Sequence, residues 1–228
     1  MGVLPGATPA LMGFSSAVAA NPVSYSDDDA QAGTAANPST ATITADTKTD
    51  AIIICLANFT SATTFNITSG TLDGNAMTLL HTAYYGTSGS PDDIMSVGIF
   101  AIRGNATAKT VSVSFDDTPN GVYFLALTVD DLQSLTPLDT DDNGGTSGTS
   151  SPLSNLTVYD TDGITICAFG NVAQLAAVTW TNATEIRDAN TGQGFRGAGS
   201  VDLGHDPAGT VDAAGASNDH CLVGVTLR

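Results

Sequence analysis

The apolar positions of this chain fall in short runs with the period of strands, separated by Gly, Asn, Asp and Thr. From about residue 40, TATITAD alternates, AIIICLANF (51–59) is apolar throughout, and TFNIT alternates again. An alternating segment predicts a strand with one wet face, and a continuous β-branched run predicts one covered on both faces. Asp73-Gly74-Asn75, between TFNIT and AMTLLHTAYY, is a hairpin-turn signal. IMSVGIFAIR (94–103), KTVSVSF (109–115) and GVYFLALTVDDL (121–132) follow, and in KTVSVSF the residues Val111, Val113 and Phe115 share one face. SNLTVYD, GITICAFGN, AVTWTNATEIRD and CLVGVTLR continue the series to the C-terminus. LQSLTP and NVAQLAAV are the only candidate helical turns, too short to change the class. The pattern predicts an all-β protein, an antiparallel β-sandwich of jelly-roll-like type with roughly a dozen short strands.

Two stretches break the pattern. Residues 1–40 are rich in small residues and hold Pro5, Pro9, Pro22, Pro38 and the cluster Asp27-Asp28-Asp29. They read as an extended N-terminal arm or a loosely packed first strand, with too little apolar surface to fold alone. DTDDNGGTSGTSSP, residues 139–152, reads as a flexible acidic linker inside a single sandwich domain spanning 41–228.

Charge narrows the function. The chain has 228 residues, 42% apolar and 13% charged, and its 6 Lys+Arg against 23 Asp+Glu give a net charge of −17. Nucleic-acid binding needs clustered cations to displace counterions, and an anionic membrane surface would repel the chain, so neither is an expected partner. Such a charge suits solubility in a saline medium. Cys55, Cys167 and Cys221 each sit in an apolar run, which predicts buried structural thiols and fits assembly in a reducing compartment. LMGFSSAVAANP lacks a basic flank, and Pro5 and Pro9 interrupt the apolar stretch leading into it, unlike a secretory signal.

Catalytic groups do not converge in the sequence. His81, His205 and His220 have no partner at a local metal-ligand spacing, and no G-x-S-x-G elbow occurs. Gly192 to Gly197 match G-x-G-x-x-G, without the strand and helix a dinucleotide site requires. The pairs Asp92-Asp93, Asp116-Asp117, Asp130-Asp131 and Asp141-Asp142 lie at predicted strand ends, where Asp serves turn geometry. No catalytic residue and no organic cofactor is expected. The one cation candidate is Asp139, Asp141 and Asn143, which reproduce D-x-D-x-N-G, the first half of a Ca²⁺ loop. Ser150 stands where that loop would supply its bidentate Glu.

The order of segments AIIICLANF, GTLDGNAMTLL, SVGIFAIRGNATAKTVSVSFDD, LQSLTPLDT, GITICAFG and GVTLR resembles a β-sandwich module of tailed-bacteriophage virion proteins, and of bacterial proteins of apparent phage origin. The similarity covers about residues 40–228. It implies a non-enzymatic virion-surface protein, most like a capsid decoration or cement protein that stabilises the head shell after assembly in the bacterial host cytoplasm. It also implies the major capsid protein and neighbouring copies of the chain, as a homotrimer, as partners. Val3, Leu4, Leu11, Met12 and Phe14 of the arm are then the candidate partner contacts. The alternatives are a head-fibre, tail-associated or receptor-binding protein, and a secreted bacterial adhesin or carbohydrate-binding module.

Overall fold

A computed structural model describes residues 23–43, 50–59, 65–86, 94–104, 109–145, 150–156, 162–172, 177–192, 195–203, 211–214 and 219–228. All regular structure among them is antiparallel β, as the hydrophobic pattern predicts. The strands before residue 131 are β1 (Ser24–Ala32), β2 (Ser39–Ile43), β3 (Asp50–Phe59), β4 (Ile67–Leu72), β5 (Asn75–Ala76), β6 (Thr78–Gly86), β7 (Ile94–Arg103), β8 (Lys109–Phe115) and β9 (Gly121–Asp130). Those that follow are β10 (Asp139–Gly145), β11 (Ser150–Leu153), β12 (Ile164–Asn171), β13 (Thr179–Thr181), β14 (Thr184–Asn190), β15 (Arg196–Leu203), β16 (Val211–Ala214) and β17 (His220–Leu227).

Their pairing reveals a doubling. The first nine strands form a five-stranded sheet in the order β1-β9-β3-β7-β6 and a four-stranded sheet β2-β8-β4-β5. The remaining strands form a five-stranded sheet β10-β17-β12-β15-β14 and a three-stranded sheet β11-β16-β13. Replacing β1, β2, β3, β4, β6, β7, β8 and β9 by β10 to β17 in order converts the first pair of sheets into the second, with the short β5 left over. The chain therefore contains two consecutive sandwich units wound the same way. In both, the outermost strand of the large sheet is bulged against its neighbour, between Leu79 and His81 in β6 and between Glu185 and Arg187 in β14.

Three cores show how the sheets stack. Ile52, Ile54 and Leu56 of β3 share one core with Ile164, Ile166 and Ala168 of β12 and with Val223, Val225 and Leu227 of β17, so the two large sheets pack face to face. The alternate residues Ala51, Ile53, Cys55 and Ala57 pack instead with Ile43, Ile67, Val111 and Val113 of the first small sheet. Cys167, Phe169 and Leu222 pack with Leu153, Leu156 and Val178 on the far side of the second large sheet. The order through the molecule is small sheet, large sheet, large sheet, small sheet. This explains the uninterrupted apolar runs of β3 and β12, whose side chains enter a different core on each face.

The large sheets are laid over one another in reversed strand order. β6 contacts β10 and β17, β7 contacts β12 and β17, and β12 also meets β3. Gly197 of β15 lies against Leu56 and Tyr123, and Gly199 lies against Leu125. The strand-to-strand contacts between the large sheets are concentrated toward β6 and β7 of the first and β10, β17 and β12 of the second. Close approach at the β6/β10 end depends on Gly144, where a Cβ would collide with the His220 carbonyl and the Tyr85 ring.

The Asp73-Gly74 turn forms as predicted, with φ of 49° and 78°, the left-handed pair of a two-residue hairpin. Three expectations are corrected. Residues 24–32 are not an arm, because β1 pairs along its length with β9 and forms a sheet edge. Residues 139–145 are not a flexible linker, since β10 pairs with β17 from Asp139↔Thr226 to Gly145↔His220, and 150–153 form β11. Nor is 41–228 a single sandwich, since it contains most of one unit and the whole of the next. Both misread strands are edges, held by backbone bonds on one side and rich in Asp, a composition that also blocks edge-to-edge aggregation.

Candidate functional site

Val3, Leu4, Leu11, Met12 and Phe14 lie outside the described residues, as do His205 and the pair Asp92-Asp93. Asp139, Asp141 and Asn143 occupy alternate positions of β10, hence one face of an extended strand and not a tight loop. Their oxygens already have other uses. Asp141 is 8% exposed and accepts from the backbone N–H of Asn155 at 2.9 Å and from its side-chain amide at 3.3 Å. Asn143 donates to the Pro152 carbonyl at 2.8 Å, and Asp139 accepts from the Thr140 N–H at 2.9 Å. Extension along a strand spreads these three residues, where a Ca²⁺ loop converges its ligands. No group of three or more His, Cys, Asp or Glu among the described residues is placed to hold a metal ion.

The structure brings together three polar constellations the sequence does not announce. The first joins the two units. His81 Nε2 lies 2.9 Å from Asp142 Oδ1, and Tyr85 Oη donates to Asp142 Oδ2 at 2.6 Å. His81 and Tyr85 are on β6 of the first unit, and Asp142 is on β10 of the second. Burial, then the hydrogen bond to Asp142 and its negative charge, push the Tyr85 phenol well above its ordinary range, so it stays a donor. This is a polar clasp across the seam between two edge strands.

The second constellation lies within the second unit. Asp188 of β14 receives Arg196 Nε at 2.5 Å, Arg196 Nη2 at 2.7 Å and the Val178 N–H at 2.9 Å. Asp188 is 7% exposed and Arg196 15%. A forked Arg–carboxylate pair with a third donor satisfies the acid fully, and the hydrogen bond to Asp188 raises the already high Arg196 pKa. The third is in the first unit, where Arg103 Nη1 donates to Asp50 Oδ2 at 2.9 Å and to the Leu132 carbonyl at 2.8 Å. Burial pushes the Asp50 carboxyl up, and Arg103 opposes it.

Other sequence candidates take structural roles. Asp116 accepts from the Asn66 amide at 2.7 Å and Asp117 from the Thr118 N–H at 2.7 Å, both at a strand end. Gly192 follows β14 and Gly197 lies in β15, two strands that pair antiparallel, and no helix follows this segment among the described residues. His220 is buried against Phe169, with ring centroids 5.8 Å apart. All three cysteines are free and buried. Burial lifts each thiol well above its ordinary range, that of Cys167 to about 12, which makes them unreactive packing groups.

The clasp and the two ion pairs fix strands relative to one another; none of them presents a nucleophile with an orienting base at its free side. No helix among the described residues is long and apolar enough to cross a membrane. Comparison with protein-family models, with curated proteins and with solved structures finds no match for this chain.

Proposed function

We propose that each unit is a jelly roll and that the chain is a virion structural protein, specifically a decoration protein that binds the outside of a bacteriophage head shell. The observation that carries this reading is the stack of four sheets around three successive cores. Such a stack is a stiff block, suited to bridging shell subunits and transmitting load between them. The net charge of −17 supports an outer position, away from packaged nucleic acid. The segment preceding β1 carries Val3, Leu4, Leu11, Met12 and Phe14, apolar side chains suited to burial against the major capsid protein or a neighbouring copy. A homotrimer at a symmetry axis would repeat that contact around the axis.

Co-sedimentation with undecorated shells from the same source tests the reading. Saturable pelleting at a fixed copy number per shell is the expected result, lost on deletion of residues 1–20 while the block stays folded. Failure of the full chain to pellet, with binding to host cells instead, would replace decoration by receptor binding. Undiminished pelleting of the truncated chain would move the contact to a sheet face.

A further inference from the structure

The first unit contains a cavity of about 440 Å³ at the end where its two sheets part, within the size range of small-molecule sites. It is formed by the β4–β5 hairpin, the start of β6, the end of β7, the start of β8 and Leu135 from the connection to the second unit. The hairpin strand β5 is the one element of the first unit without a counterpart among the described strands of the second. The shared winding therefore does not require this hairpin, and it builds one wall of the cavity.

The lining departs from the rest of the molecule in charge. Of the 6 Lys and Arg in a chain with 23 acids, Arg103 and Lys109 both face this space. Arg103 makes both of its side-chain hydrogen bonds through Nη1, which leaves Nε and Nη2 for an acceptor in the cavity. Its side chain is 48% exposed, although its partner Asp50 is buried. Lys109 is only 16% exposed, and its Nζ stands 3.9 Å from Asp73 Oδ2, too far for a hydrogen bond. Asp73 neutralises this ammonium without a hydrogen bond, and an incoming anion would give it a closer, charge-assisted acceptor. Asn75 and Thr78 add neutral polar groups, while Ile102 and Leu135 supply apolar wall.

From this lining we infer a binding site for a small monocarboxylate with a hydroxylated body, the chemistry of a hexuronic acid. The carboxylate sits between Arg103 and Lys109, hydroxyls meet Asn75 and Thr78, and the C–H face of the ring covers Ile102 and Leu135. A dianion such as phosphate fits less well, because Asp73 and Asp50 stand beside the two cations.

The test is a titration of the intact, isotope-labelled protein with galacturonate, galactose and inorganic phosphate, followed by amide chemical shifts. Galacturonate is expected to give saturable shifts at Asn75, Thr78 and Gly104, weakened by salt, and galactose none. Lys109→Gln should weaken the affinity roughly tenfold, as the loss of a charge-assisted bond predicts, with its melting temperature near that of the parent. Because that variant could perturb the β8 start, Arg187→Gln, on β14 away from the cavity, serves as the charge control and should bind normally. The inference is overturned if galacturonate gives no saturable shift at these amides, if galactose or phosphate binds equally well, or if both variants behave alike. None of these outcomes bears on shell binding, which uses other residues.

Discussion

The two units share a winding and differ in how their outer faces are finished. In the first, the outer sheet has four strands and encloses a core with Phe59, Phe65, Phe100, Phe115 and Phe124, where Phe59 meets Phe65 and Phe115 edge to face with centroids 6.0 and 5.9 Å apart. In the second, the outer sheet has three strands over a smaller core whose one fully apolar ring is Phe169, with Trp180 at its margin. The central strands β3 and β12 of the two units open on a common motif. Asp50-Ala51-Ile52-Ile53-Ile54-Cys55 and Asp162-Gly163-Ile164-Thr165-Ile166-Cys167 both read D-x-I-x-I-C. In each, the isoleucines two and four places after the Asp enter the shared core, and the Cys turns to the unit's own outer core. Of the side chains the two strands share, the isoleucines thus face the partner unit and the cysteine faces the unit's own outer core.

The comparison is broken most severely at the shared core. Val225→Asp places a carboxylate where Val225 is fully buried between the large sheets. A buried charge with no partner costs several kcal/mol, comparable to the whole stability of a domain, so both units should unfold together in calorimetry. If the first unit stayed folded, the units would be independent and the shared core would not be their common support.

Truncation in the outer cores should separate the units. Phe124→Ala and Phe169→Ala each remove a fully or almost fully buried ring, at about 3–5 kcal/mol. Amide exchange should speed up mainly in β2, β4 and β8 for the first variant and in β11, β13 and β16 for the second. Uniform acceleration in both variants would mean that the two outer cores are not separate.

The smallest expected effect is at the seam. Tyr85→Phe deletes the 2.6 Å bond to Asp142 and keeps the ring against Gly144. A loss of about 1–2 kcal/mol in urea unfolding is expected, since a hydrogen bond to a charged acceptor is removed from a partly exposed site. An unchanged midpoint would show that packing alone joins the edges.

The strands legible in the sequence are those whose side chains do the work. β3, β12 and β17 are apolar on both faces because cores lie on both faces, and β8 alternates because only Val111, Val113 and Phe115 face inward. β1 and β10 were hidden because their place in the sheet comes from backbone bonds, and SYSDDDAQA and DTDDNGG have no apolar period to read. They are counterparts in the two units, so misreading both concealed the repeat. The D-x-I-x-I-C pair was the available signal, short enough to pass for ordinary strand composition. The clasp could not have been read at all, because His81 and Asp142 lie 61 positions apart and meet only when one unit is laid on the other.

The central claim is that residues 139–145 open a second unit equivalent to the first. Residue-resolved hydrogen exchange on the intact protein tests it most directly. The doubled fold predicts slow exchange throughout β3 and β12, and protection of alternate β10 amides matching that of β1, because each of these edge strands bonds to one neighbour. Exchange across residues 139–145 at the rate of an unstructured peptide, with β1 protected, would contradict it and leave a single sandwich with a linker.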